Sequence, residues 1–160
     1  MNVLALLIGF IFPACASVGA AGVPVPPPGE LAHLVRPSTP NSALVGPAGF
    51  TPQPDLVLPP YPVPPARLYA ALRAVAAGQE RTFLQAEDPA TMEVRYVVRS
   101  AVLNFPDLIV AQVSSRAEDS SALVLYSRSL YGRSDLGVNR ARIAAWIAAL
   151  DAMLRPPNRS

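Results

Sequence analysis

Lysine is absent from the 160 residues: all thirteen basic side chains are arginine, against eleven Asp and Glu. Charge is scarce, at 15% of residues, and the formal balance is only +2. So mild an excess is no electrostatic footprint for nucleic acid. The chain has one cysteine, Cys15, and one histidine, His33. A single cysteine rules out an intrachain disulfide framework, and the two residues are too few for a Cys/His zinc site. No cofactor is expected. Low charge beside 51% hydrophobic residues also excludes a disordered acidic or basic tail. The length suits one ordinary domain with some chain to spare.

Recognisable catalytic patterns are missing too. No GxGxxG, GxxxxGK[ST] or GxSxG occurs. A Ser/His/Asp triad would need His33 to fold over Ser129 or Ser134. Paired carboxylates occur only as Glu87/Asp88 and Glu118/Asp119, both in turn-forming sequence, whereas a general acid needs a partly buried carboxyl. These absences point away from an enzyme.

Residues 1–29 carry no charged side chain. Val3–Phe12 is an apolar run bounded by Pro13, shorter than the roughly 20 residues a spanning helix needs. With Ala14-Cys15-Ala16 behind it, the run has the form of a secretory signal and its small-x-small cleavage site. Residues 1–22 are therefore expected to be a signal peptide or a membrane anchor. Acylation at Cys15 and a buried apolar strand are the competing readings. Localisation follows as periplasmic, or anchored and facing the periplasm.

What the chain has in excess is proline: fourteen of its nineteen lie between Pro24 and Pro65. Proline fixes φ and removes a donor, so no helix or central strand is expected through this stretch. VPVPPPGE (23–30) and LPPYPVPPA (58–66) read as polyproline II or extended chain. Between them, Leu34, Val35, Leu44, Val45 and Phe50 supply enough apolar surface for an arm lying on a core. A free spacer is the alternative. The arm or linker is assigned residues 23–64.

An α+β domain is expected over 65–155, with a tail over 156–160. Leu68, Leu72 and Val75 mark one face of a helix over 65–77, with Gly78 as a left-handed stop. The period then drops to two. Arg81–Gln85, Thr91–Val102, Leu108–Ser114 and Ser121–Ser127 read as four strands, with a hairpin loop at Arg116–Ser120. In the second strand Met92, Val94, Tyr96 and Val98 alternate with Glu93, Arg95 and Arg99, so one sheet face is expected dry and the other wet. Ile143, Trp146, Ile147, Leu150, Met153 and Leu154 form the stripe of a last helix, with Asn139 as its N-cap. The expected fold is a two-layer sandwich: a four-stranded, mainly antiparallel sheet with two helices packed on one face.

The segment Ser127–Arg142 (SRSLYGRSDLGVNRAR) is the densest in chemistry. It leaves the last strand and enters the last helix, whose N-terminus offers free N–H groups and partial positive charge. Ser127, Arg128, Ser129, Arg133, Ser134, Asp135, Asn139, Arg140 and Arg142 are the candidate residues of an anion or ligand pocket. Tyr131, in the loop, is placed to line it. A structural reading uses the same residues: Asp135 folding back on the Gly137 N–H, Asn139 capping the helix, and the serines alternating along a strand.

This segment resembles the C-terminal signature of the domain of unknown function 1499 family. The resemblance is carried by Ser127, Arg128, Ser129, Gly132, Ser134, Asp135, Gly137, Asn139, Arg142 and Ile143. Pro37, Thr39, Pro40 and Asn41 resemble its P-x-S/T-P-N segment, and Phe105-Pro106-Asp107 its F-x-D element. The resemblance implies a bacterial envelope or exported protein, implies no activity, and favours an ordered arm. The expected function is non-enzymatic binding of an anionic small molecule, a lipid or an envelope protein. An amphiphile-binding module and a serine hydrolase using Ser129 or Ser134 are the alternatives, and membrane association would run through the N-terminus.

Overall fold

The computed structural model describes residues 17–155. The Val3–Phe12 run, Cys15 and the 156–160 tail lie outside the described residues, as does most of the expected leader.

Helix α1 spans Pro65–Ala77, as the periodicity predicts. Proline sits at its first turn, where the missing N–H is no loss. Leu68, Leu72 and Val75 are buried together with Tyr69 and Ala76. Gly78 is not a left-handed stop: it stays right-handed at φ −81°, and its N–H closes the helix on Ala74 and Val75. The positive φ falls instead on Arg81, at 56°. Its guanidinium is held by the carbonyls of Arg99 and Ser100 and by Asn104 Oδ1, at 2.8–2.9 Å.

The sheet has six strands rather than four. They are β1 (Ser42–Gly46), β2 (Leu56–Val57), β3 (Thr82–Asp88), β4 (Glu93–Arg99), β5 (Pro106–Ala117) and β6 (Ser120–Ser129), in the order β2-β1-β6-β5-β4-β3. All neighbours are antiparallel except β1 and β2. The two extra strands come from the proline-rich stretch. Residues 41–46 form a proline-free window within it, so every N–H needed by an interior strand is present. The β5–β6 hairpin is also tighter than expected, because both strands continue through most of the anticipated loop.

Helix α2 (Val138–Leu154) packs beside α1 on one sheet face. Leu68, Leu72, Trp146 and Leu150 are at most 1% exposed, and the Trp146 ring meets Tyr96 edge-on at 5.8 Å. Met153, assigned to the same stripe, is exposed.

The second face is not wet. Every residue of β4 is buried, Glu93, Arg95 and Arg99 included. Chain from the N-terminal side covers them: Leu31 and Leu34 pack on Leu44, Val110, Val124 and Tyr126, and Val23 packs on Val97 and Leu108. Strand alternation marks which side chains leave the helix-side core, but not what meets them on the far side.

Polar bonds fix this cover. Arg99 donates to the carbonyls of Gly19 (2.7 Å) and Ala21 (3.0 Å), Arg95 to Pro27 (3.0 Å), and Gln85 to Val23 and Pro24. Glu93 pairs with Arg95 and accepts the Gly29 N–H at 3.2 Å. A proline-rich segment has carbonyls to satisfy and few N–H groups; arginine has donors and no acceptor. The two match.

Candidate functional site

β6 delivers Ser127, Arg128 and Ser129 to the sheet end, and eight residues separate the strand from the start of α2. The turn between them depends on positive φ at Gly132 (89°), Leu136 (54°) and Gly137 (84°). Gly137, not Asn139, is the N-cap, and it has no side chain with which to cap. Asp135 does the capping from outside the helix. Its Oδ1 accepts the Gly137 N–H at 2.9 Å, and its Oδ2 accepts the Asn139 N–H at 2.9 Å and the Asn139 amide at 2.7 Å. Burial alone would raise the Asp135 carboxyl, but these bonds prevail and hold it below its ordinary range.

Asn139 lies two positions past the N-cap, inside the helix, is fully buried, and joins three segments. Its Oδ1 accepts from the Ser127 hydroxyl and from Arg142 Nη1. Its amide donates to the Asn41 carbonyl, Ser129 Oγ and Asp135. Arg142 reaches past it to Asp107 Oδ2 at 2.6 Å, with both side chains largely buried. Asn41 extends the network into the arm, donating to the Gly132 carbonyl at 2.8 Å and accepting from Thr39 Oγ1 at 2.8 Å.

The candidate residues therefore divide. Ser127, Ser129, Asp135, Asn139 and Arg142 bond to one another. Arg133, Ser134 and Arg140 are exposed on the turn and the helix. Ser134 Oγ accepts the local N–H of Leu136. His33 is exposed at the end of the short 3-10 turn Glu30–His33, with no hydrogen bond to Ser129 or Ser134. The triad geometry is not formed.

Arg128 leaves the network for the arm side. It borders a depression of about 490 Å³ with Glu30, Arg36, Thr39, Tyr126, Ser129 and Gly132. Arg36 is committed elsewhere: it forms a two-pronged pair with Asp55 at 2.8 and 3.0 Å. Among the described residues Arg128 has only a loose partner, Glu30 at 3.8 Å. Burial raises the Glu30 carboxyl, against the pull of Arg128 and Arg95. A second depression, of about 530 Å³, lies across the Arg36–Thr39 strap, lined by Asp55, Ser134, Asp135, Gly137 and Arg140. Among the described residues no group of His, Cys, Asp and Glu could hold a metal.

Composition and spacing missed Glu30, Arg36 and Tyr126, because nothing local marks a residue that a distant strap will cover. Asn41 and Asp107 were visible as members of short motifs, but not as partners of Asn139 and Arg142.

A family model described as a protein of unknown function, DUF1499, matches residues 34–150. No curated protein matches. Similar solved structures include a solution NMR structure of a protein from Thermobifida fusca, at 11% identity and TM-score 0.42, covering 69% of this chain and 85% of that one. A DUF4468 family protein from Bacteroides ovatus is similar at 13% identity and TM-score 0.29, covering 64% and 87%. Both likenesses are too distant to bear on fold or function.

Proposed function

The chain belongs to the DUF1499 family, whose members are described as proteins of unknown function, and from the geometry of its site we propose a non-enzymatic binding domain of the cell envelope that takes a small anion between its arm and its sheet. One observation carries the reading: Arg128 borders a depression with a guanidinium that none of the described residues engages closely. A guanidinium cannot lose its charge, and a carboxylate is its natural complement. The serines of the hydrolase alternative support the same reading, since Ser129 is engaged by Asn139 and Ser134 by the local Leu136 N–H. Delivery to the envelope rests on the Val3–Phe12 run and the Ala14-Cys15-Ala16 site.

Titration of the purified protein with acetate, followed by amide NMR, tests the binding. Saturable shifts at Arg128, Ser129 and Gly132 that vanish in Arg128→Ala are expected. A flat titration would overturn the anion site. A reporter fused after residue 22 should be exported, and a reporter retained in the cytosol would remove the envelope from the proposal.

The amphiphile reading keeps one observation of its own. A depression of about 460 Å³ between α1 and β3 is lined by Ala74, Ala76, Ala77 and Leu84 as well as Arg73 and Tyr96. It lies at the margin of the layers, whose centre is filled by Leu68, Leu72 and Trp146.

A further inference from the structure

Two residues that line the depression beside Arg128 carry polar atoms that the anion reading leaves unused. Tyr126 is 1% exposed, and its hydroxyl makes no well-formed hydrogen bond among the described residues, the Ser42 side chain standing near enough only to oppose the rise that burial gives the phenol. Glu30 Oε2 is buried and likewise unbonded. Both side chains line the same depression as Arg128. Folded proteins pair nearly all such atoms, so two unpaired ones in the lining of one depression call for a bound group or an ordered water there.

The three side chains restrict what that group is. A carboxylate accepts, a guanidinium only donates, and a phenol does both. A hydroxyl donates to Glu30 and accepts from Tyr126 at once. A plain carboxylate or phosphate only accepts, and it would face Glu30 with like charge. An ammonium suits Glu30 but offers no acceptor to the phenol or to Arg128. The guanidinium needs an anionic oxygen, and it stands 3.8 Å from the Glu30 carboxylate. The anionic group and the hydroxyl must therefore be close neighbours in one molecule.

We propose that the occupant of this depression is a hydroxy acid, with its carboxylate on Arg128 and its neighbouring hydroxyl between Glu30 and Tyr126. The volume of about 490 Å³ admits a molecule of monosaccharide size. The proposal rests on the anion reading above and narrows its ligand class. Small free hydroxy acids and the sugar acids of glycans share this chemistry.

Amide NMR titrations with D-glycerate, D-glucuronate, acetate and glycerol test it. At least one hydroxy acid should shift Tyr126, Ser129 and Gly132 with affinity about tenfold above acetate, while glycerol shifts none. Response to glucuronate alone assigns the site to glycan-borne acids, and response to glycerate alone to free ones. Tyr126→Phe should cut the preference over acetate to roughly threefold, the loss expected for one hydrogen bond, and leave acetate binding unchanged. Should that variant fail to fold, Glu30→Gln reads the same preference. Acetate binding as tightly as both hydroxy acids would overturn the proposal and leave the anion site standing. A preference that both variants retain, or that is met by water alone and so never appears, would overturn it too. No response to any of the four probes would overturn both.

Discussion

Asn139 illustrates how one side chain can serve as the junction of a fold. It bonds to a strand hydroxyl, a helix arginine, an arm carbonyl and a turn carboxylate, and the bonds to the hydroxyl and the arm carbonyl are buried away from solvent. Asn139→Ala should cost about 3 kcal/mol, because five side-chain hydrogen bonds, two of them fully buried, are lost together. Asp135→Ala should cost about 1–2 kcal/mol, since its cap bonds lie nearer solvent. Urea denaturation of both variants measures the difference, and equal losses would place the junction elsewhere. The same carboxylate sets a pH dependence. Asp135 and Asp55 are both held below the ordinary value of 3.8, against the opposing effect of burial. At these two carboxyls the folded state therefore binds protons less readily than the unfolded one. The stability they contribute is fully present above pH 3.8 and is lost as pH falls through their lower folded-state values. Asp135→Asn should flatten that acid limb in denaturation curves taken between pH 5 and 2.

At the scale of elements, the arm and β4 depend on each other. β4 places Glu93, Arg95 and Arg99 on the face away from the helices, and the arm brings carbonyls to them. Neither would be stable alone there: buried guanidinium groups need acceptors, and proline-rich chain has few bonds of its own to make. Arg99→Ala should cost about 2 kcal/mol and loosen the arm before the sheet. Hydrogen exchange should then accelerate at Ala21, Val23 and Gly29 while β5 and β6 amides stay protected. Simultaneous loss in both would show the arm to be part of the sheet's own cooperative unit. Helix α2 behaves differently. Its start is determined by a turn it does not contain, through Asp135, so its first residue moves relative to the position that cap preference alone assigns.

For the whole molecule, the sheet is a middle layer, with helices on one face and the arm on the other. The heaviest packing lies on the helix side, around Trp146, which is 1% exposed and touches the core from both helices and the sheet. Trp146→Ala should cost about 3–5 kcal/mol and lower the thermal midpoint accordingly. The ligand site proposed above lies on the opposite side, at the seam between arm and sheet. Ligand should therefore stabilise the arm more than the helical layer, which the same exchange measurement would register.

Both long helices, the four strands β3 to β6 and the helix-side core were legible in the residues, because burial on one face imposes a period that neighbours along the chain reveal. Asp135 as a turn residue was legible for the same local reason: its bond to the Gly137 N–H spans two positions. The proline-poor window of β1, the burial of Glu93, Arg95 and Arg99, and the meeting of Glu30, Tyr126 and Arg128 were not. Each depends on segments up to about a hundred positions apart being laid side by side. Only the tertiary structure decides such encounters, since a side chain's own periodicity tells which way it points and carries no record of what the distant chain will place there.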